Sequence, residues 1–214
     1  MVDFQQRDTR RSVDEDSDDV VDDAGSTDEP GDEPTAQEQA DDGQHDDHDH
    51  DHHAHDRESL GVAVVTVSSS RSRDNDPAGD VIEAALTDAG HEVVVRDVVR
   101  DDHDGVQDVV DAVVGRGDVD AVVTTGGTGV TPDDVTVEAV RPLLDKELPG
   151  FGELFRRLSY DEIGTKIVAT RALAGVADGA IVFCLPGSEN AARLGAEEII
   201  VDQAPHLAGL AQRD

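Results

Sequence analysis

Lysine is almost missing from this sequence. Of 17 basic residues only Lys146 and Lys166 are lysines, set against 50 Asp and Glu, for a formal net charge of −33. A chain so charged repels nucleic acid and anionic membrane in dilute salt, which argues against both as partners. Cysteine occurs once, as Cys184, so no intrachain disulfide is possible and a reducing interior fits. In its apolar run that thiol reads as inert packing. No apolar stretch approaches the roughly 18 residues that a membrane-spanning helix needs, and no secretory hydrophobic segment opens the chain. A cytoplasmic protein is expected. Aromatic residues make up 2% of the sequence. With the acid excess and the shortage of lysine, this matches a halophilic protein adapted to a salt-rich cytoplasm. At about 1 M salt the Debye length is roughly 3 Å, so a dense carboxylate coat costs little.

Composition divides the chain near Ser59. Residues 1–58 hold 22 acidic residues against 4 arginines, a net −18, with almost no aliphatic periodicity. Such a segment cannot bury enough apolar surface to fold, and a disordered acidic tail is expected. Its His45, His48, His50, His52, His53 and His55 alternate with Asp. They either hold Ni, Cu or Zn loosely or form part of a solvated tail, and no fixed framework marks a structural metal site. Residues 59–214 hold 28 acidic against 13 basic residues, a net −15, and nearly all the Val, Ile and Leu. That is one domain of ordinary size.

Within the domain, apolar runs alternate with helical patterns. Residues 61–67, 92–98, 120–125 and 179–185 read as strands, the first and last apolar throughout, as in parallel strands covered on both faces. Helices are expected at 79–89, stopped by Gly90, and from an Asp104 cap to about Gly115. The latter turns Val106, Val109, Val110, Val113 and Val114 toward the sheet. Further helices are expected at 136–145, 153–163 and 190–200, with a short amphipathic piece around Leu207 and Leu210. This alternation predicts a three-layer α/β/α doubly wound, mostly parallel sheet.

The chemistry centres on the stretch from Val122 to Thr136, read as strand, glycine loop and helix start. Gly126, Gly127 and Gly129 remove side chains that would hold a ligand off, and they permit positive φ, so successive amides can converge on one anion. The following helix adds its positive end, with Thr131 before Pro132 or Thr136 as its cap. Asp133 and Asp134 beside such a loop make sense if a divalent cation joins the phosphate; otherwise they are a negatively charged first helical turn. If the first and third strands are neighbours, the loop of residues 68–73 and the loop of residues 126–134 line one crevice at the carboxyl ends of the strands.

Residues 124–136 with Glu138-Ala139, Pro149-Gly150-Phe151-Gly152-Glu153, Leu158-Ser159, Glu162-Ile163-Gly164-Thr165, Arg171-Ala172, Ala174-Gly175-Val176 and Leu185-Pro186-Gly187-Ser188 occur in one order. Together they resemble the MoaB/MogA family of molybdenum-cofactor biosynthesis proteins, related to one domain of gephyrin. The resemblance spans about residues 60–210. It implies a homotrimer or homohexamer that binds molybdopterin and transfers AMP to it from Mg-ATP, releasing pyrophosphate. It further implies that Gly126, Gly127, Thr128 and Gly129 cradle phosphate and that Asp101 and Asp134 hold or organise Mg²⁺. Ser68, Arg71, Thr136, Arg171, Pro186, Gly187 and Ser188 would contact substrate. Three positions depart from the family pattern: Ser69 where an acid is common, Ala78 where Ser is common, and Asp133 where Arg is frequent. The alternative is a non-catalytic molybdopterin-binding or carrier protein whose tail presents metal.

Overall fold

The structure, a computed structural model, describes residues 57–212; the expected disordered tail and its histidines lie outside the described residues. Six strands form one sheet: β1 (Gly61–Val67), β2 (Glu92–Val99), β3 (Ala121–Thr125), β4 (Lys146–Glu147), β5 (Leu173–Ala177) and β6 (Ala180–Leu185), in the order β2-β1-β3-β6-β5-β4. The first four in that order are parallel, whereas β5 runs antiparallel to both β6 and β4. The helices are α1 (Pro77–Asp88), α2 (His103–Val114), α3 (Thr136–Val140), α4 (Pro149–Ile163), α5 (Glu189–Gly195) and α6 (Val201–Ala211). A π-wound turn, Ala196–Ile200, joins α5 to α6 in one helical run.

Side chains alternate across β1, so Val62 and Val64 pack on one face and Ala63 and Val67 on the other. The first face is covered by α1, α4 and α5–α6 through residues such as Ile82, Phe155 and Ile200. The second is covered by α2 and α3 through Val106, Val110, Val137 and Val140. Burial on both sides is why β1, β3 and β6 read as continuous apolar runs. Three of the four phenylalanines meet on the first face, where the Phe151 ring lies 5.3 Å from Phe183 and 6.3 Å from Phe155, seating α4 on β6.

Several local expectations shift. Helix α1 starts two residues early because Asp76 caps it, its carboxylate accepting from the Gly79 amide at 3.2 Å. Asp102 rather than Asp104 caps α2, accepting from Gly105. Neither Thr131 nor Thr136 caps α3; Thr136 is its first residue, and the helix has only five residues before a 3₁₀ turn at Arg141–Leu143. So short a helix has little dipole to offer an anion. Among the described residues no helix is long and apolar enough to cross a membrane.

Arg57, at the edge of the described chain, pairs with Asp120, and both carry some solvent exposure. Exposed pairs contribute under about 1 kcal/mol. Deleting residues 1–58 is therefore expected to lower the unfolding free energy of the domain by less than about 1 kcal/mol. Urea titration of both lengths checks it; loss of cooperative unfolding in the shorter chain would contradict it.

Candidate functional site

Strands β1 and β3 are hydrogen-bonded neighbours, yet the chain passes from β1 to β2 on one side and from β3 to β4, beyond β6 and β5, on the other. At that reversal the strand ends diverge and leave a crevice beyond their carboxyl termini. A cleft of about 360 Å³ occupies it, walled by the loops after β1, β3 and β6. Ser68, Arg71, Gly126, Gly127, Thr128, Gly129, Asp134, Pro186 and Gly187 all line it, and so do Val67, Ser70 and Thr170, which sequence reasoning did not single out.

The glycine loop is held in shape from behind. Gly126 has φ +104° and Gly127 φ +64°, both in the region that glycine favours. The Thr136 hydroxyl donates to the Gly126 carbonyl at 2.8 Å and the Thr136 amide to the Gly127 carbonyl at 2.9 Å. Thr136 is fully buried, so it shapes the loop rather than meeting a ligand. Arg171 does the same from the other side, donating through Nε to the Gly129 carbonyl at 2.6 Å and through Nη2 to the Asp134 carbonyl at 3.0 Å, while pairing with Glu138. Of the four expected cradle amides, that of Gly126 is already given to the Leu185 carbonyl, and that of Gly129 lies where it helps hold the Asp134 carboxylate ionised. The amides of Gly127 and Thr128 have no acceptor among the described residues. Two donors on adjacent residues suffice for one phosphate oxygen pair.

Asp134 lines the cleft with its carboxylate bound to the Thr131 amide at 2.7 Å and hydroxyl at 2.6 Å. Partial burial alone would raise its pKa. The Thr131 hydroxyl and amide, the Gly129 amide and Arg171 outweigh that, and the group sits below the ordinary carboxylate range. Asp101 stands outside the cleft lining; its carboxylate accepts from the Ser69 amide at 2.6 Å and tethers the first loop to the end of β2. No cluster of three His, Cys, Asp or Glu side chains placed to hold a metal occurs among the described residues. Mg²⁺ is nonetheless commonly held by one carboxylate with substrate phosphates and water. An ionised Asp134 on the wall fits that pattern. Asp133 is exposed and does not line the cleft. Ser188 caps α5 through Ala191, and only Pro186 and Gly187 of that turn reach the wall.

Arg71 crosses the cleft from the first loop to the last, donating through Nη2 to the Gly187 carbonyl at 2.8 Å and reaching Asp76 through Nη1 at 3.5 Å. Behind it lies a network missed at the level of sequence. Asp76 is fully buried and accepts from the Thr66 hydroxyl at 2.6 Å and from Arg96 Nη2 at 2.6 Å. Burial would raise its pKa, but Thr66, the Gly79 amide and Arg96 together bring it below the ordinary value. Arg96, itself buried, also reaches Asp80 and Glu83. Cys184 plays no part in this chemistry, since complete burial pushes its thiol up to about 11.

A three-layer α/β/α domain with a glycine-loop cleft at its switch point is the class that fold and site define. A family model described as "Probable molybdopterin binding domain" matches residues 63–206. Molybdenum cofactor biosynthesis protein B of Bacillus cereus is 43% identical over 145 residues, spanning 67% of this chain and 86% of that protein. A crystal structure of a molybdenum cofactor biosynthesis protein B superposes with a TM-score of 0.71 at 41% identity, covering 73% of this chain and 98% of the other. The tungsten cofactor synthesizing protein MoaB of Pyrococcus furiosus gives 0.66 at 38%, covering 73% and 99%. The chain belongs to the MoaB/MogA family of molybdenum-cofactor biosynthesis proteins.

Proposed function

We propose that the cleft binds molybdopterin by its terminal phosphate and that the protein adenylylates it with Mg-ATP, releasing pyrophosphate. The observation that carries this reading is the pair of amides at Gly127 and Thr128 without an acceptor among the described residues, in a cleft also lined by Arg71 and by an ionised Asp134. In this transfer an oxygen of the pterin phosphate attacks the α-phosphorus of ATP, the bond from that phosphorus to the bridging oxygen breaks, and pyrophosphate leaves. The nucleophile comes from substrate, so no protein nucleophile is needed, which agrees with the inert Cys184. The loop amides hold the attacking phosphate in place, and the Arg71 guanidinium offsets charge gathering on the phosphoryl oxygens. Asp134 would hold Mg²⁺, whose chemistry is neutralising the polyphosphate.

The same reading includes assembly into trimers or hexamers. Tyr160 and Ile163, one turn apart on α4, and Val168 just beyond it are exposed apolar side chains that support a self-association face. Carriage of molybdopterin without catalysis is the second reading, favoured by Asp133 and Ala78 where the family pattern has Arg and Ser. Incubation with molybdopterin, Mg²⁺ and ATP in concentrated salt separates the two, since only the enzyme yields adenylated pterin. Asp134→Ala is expected to cut turnover by about 10²-fold or more with the circular dichroism spectrum unchanged. Undiminished turnover would remove Asp134 from the chemistry.

A further inference from the structure

Adenylyl transfer brings two phosphate-bearing molecules together, whereas the two free loop amides serve one. Beside the cleft lies a pocket of about 340 Å³ between the start of α4, the β4 edge and the segment before β5. Thr170 lines both hollows, so they adjoin. The pocket wall carries Arg141, Arg156 and Arg171 against Glu147 and Glu153, an excess of one positive charge in a chain whose net charge is −33. Arg141 is committed to Glu147 at 3.0 Å and Arg171 to the glycine loop and Glu138. Arg156 is half-buried and has no hydrogen-bond or ion-pair partner among the described residues. Its guanidinium stands over Gly152, where an added Cβ would lie 3.0 Å from Nη1 and 2.7 Å from the Ala172 carbonyl, so glycine keeps the pocket floor open.

Among the described residues Arg73, Arg100, Lys146, Arg157 and Lys166 also lack an ion pair, but those five are exposed, whereas Arg156 is half-buried. A guanidinium drawn partly out of water and left unpaired forfeits hydration that only an arriving anion returns. Its planar fork suits two phosphate oxygens. We infer that this pocket is a second phosphate subsite, with Arg156 as its cation, taking the phosphate of whichever substrate the glycine loop does not hold. The inference rests on the cleft being the first such seat.

Full-length protein in concentrated KCl is titrated calorimetrically with inorganic pyrophosphate, then with ATP and with molybdopterin. Arg156→Gln is expected to weaken pyrophosphate binding about tenfold or more, the loss of a charge-assisted hydrogen bond. Glu153→Gln removes the unpaired carboxylate on the wall and is expected to tighten it about twofold, which keeps the test open if Arg156→Gln fails to fold. The ATP and molybdopterin arms identify the occupant, because only the substrate seated at Arg156 loses affinity in Arg156→Gln. Binding of all three ligands at wild-type strength in both variants would overturn the subsite, and the cleft would stand if Gly127→Ala loses molybdopterin. Were wild type to bind no molybdopterin, the cleft reading would fail while the pyrophosphate result still decided on Arg156. A lower sedimenting mass for Arg156→Gln would assign Arg156 to a second copy of the chain and overturn the proposal.

Discussion

Gly126→Ala is expected to lower the melting temperature by about 10 °C and to remove molybdopterin binding. The backbone at Gly126 has φ +104°, and a Cβ there would lie 2.2 Å from the Val67 carbonyl oxygen. That oxygen belongs to the end of β1, and the Gly126 amide is tied to Leu185 at the end of β6. The residue cannot retreat from one neighbour without breaking with the other. Backbone strain and a clash against main chain together cost about 3–5 kcal/mol. Gly90→Ala supplies the contrast: its φ is +88°, but nothing lies within 4 Å of the added carbon. Only the conformational term remains there, about 1–2 kcal/mol. Calorimetric melting of both variants checks the difference; equal losses would show that the crowding at the cleft floor is absent.

Asp76→Asn is expected to cost about 3 kcal/mol and to slacken the cleft as well. It leaves Arg96, whose side chain is 3% exposed, without its shortest carboxylate contact, while Asp80 and Glu83 remain to limit the loss. It also unseats Arg71, so molybdopterin affinity is expected to fall along with stability. The pH dependence has a definite sign. The folded pKa of Asp76 lies below the ordinary carboxylate value of 3.8, so its contribution is fully present above that pH and is lost as pH falls through the folded value. Asn at this position should flatten the acid limb of the stability curve below about pH 4. An unchanged acid limb in denaturant titrations would mean that Asp76 is not the group responsible.

The parallel half of the sheet was legible because burial on both faces writes itself as unbroken Val, Ile and Ala, and the switch-point cleft followed once β1 and β3 were taken as neighbours. Strands β4 and β5 were not. The first is only Lys146 and Glu147, and β5 passes through Gly175, where a Cβ would lie 2.5 Å from the Lys146 carbonyl, so neither shows alternation or β-branched enrichment. The glycine loop was found from its composition. Which amides stay free depends on Leu185 and Asp134, partners that no local pattern identifies. Asp76 stood among Asp74, Asn75 and Pro77 as one more loop acid; only the crossing of Arg96 from β2 reveals it as a buried anchor. Asp101, just past β2, also accepts from the Ser69 amide and so tethers the first loop, a tertiary contact that no local pattern identifies.

A crystal structure of the full chain with molybdopterin bound tests the central claim most directly. Phosphate oxygens are expected within about 3 Å of the Gly127 and Thr128 amide nitrogens, with the Arg71 guanidinium in the same cleft. Density for the pterin phosphate elsewhere on the surface, with those two amides turned to solvent, would contradict it.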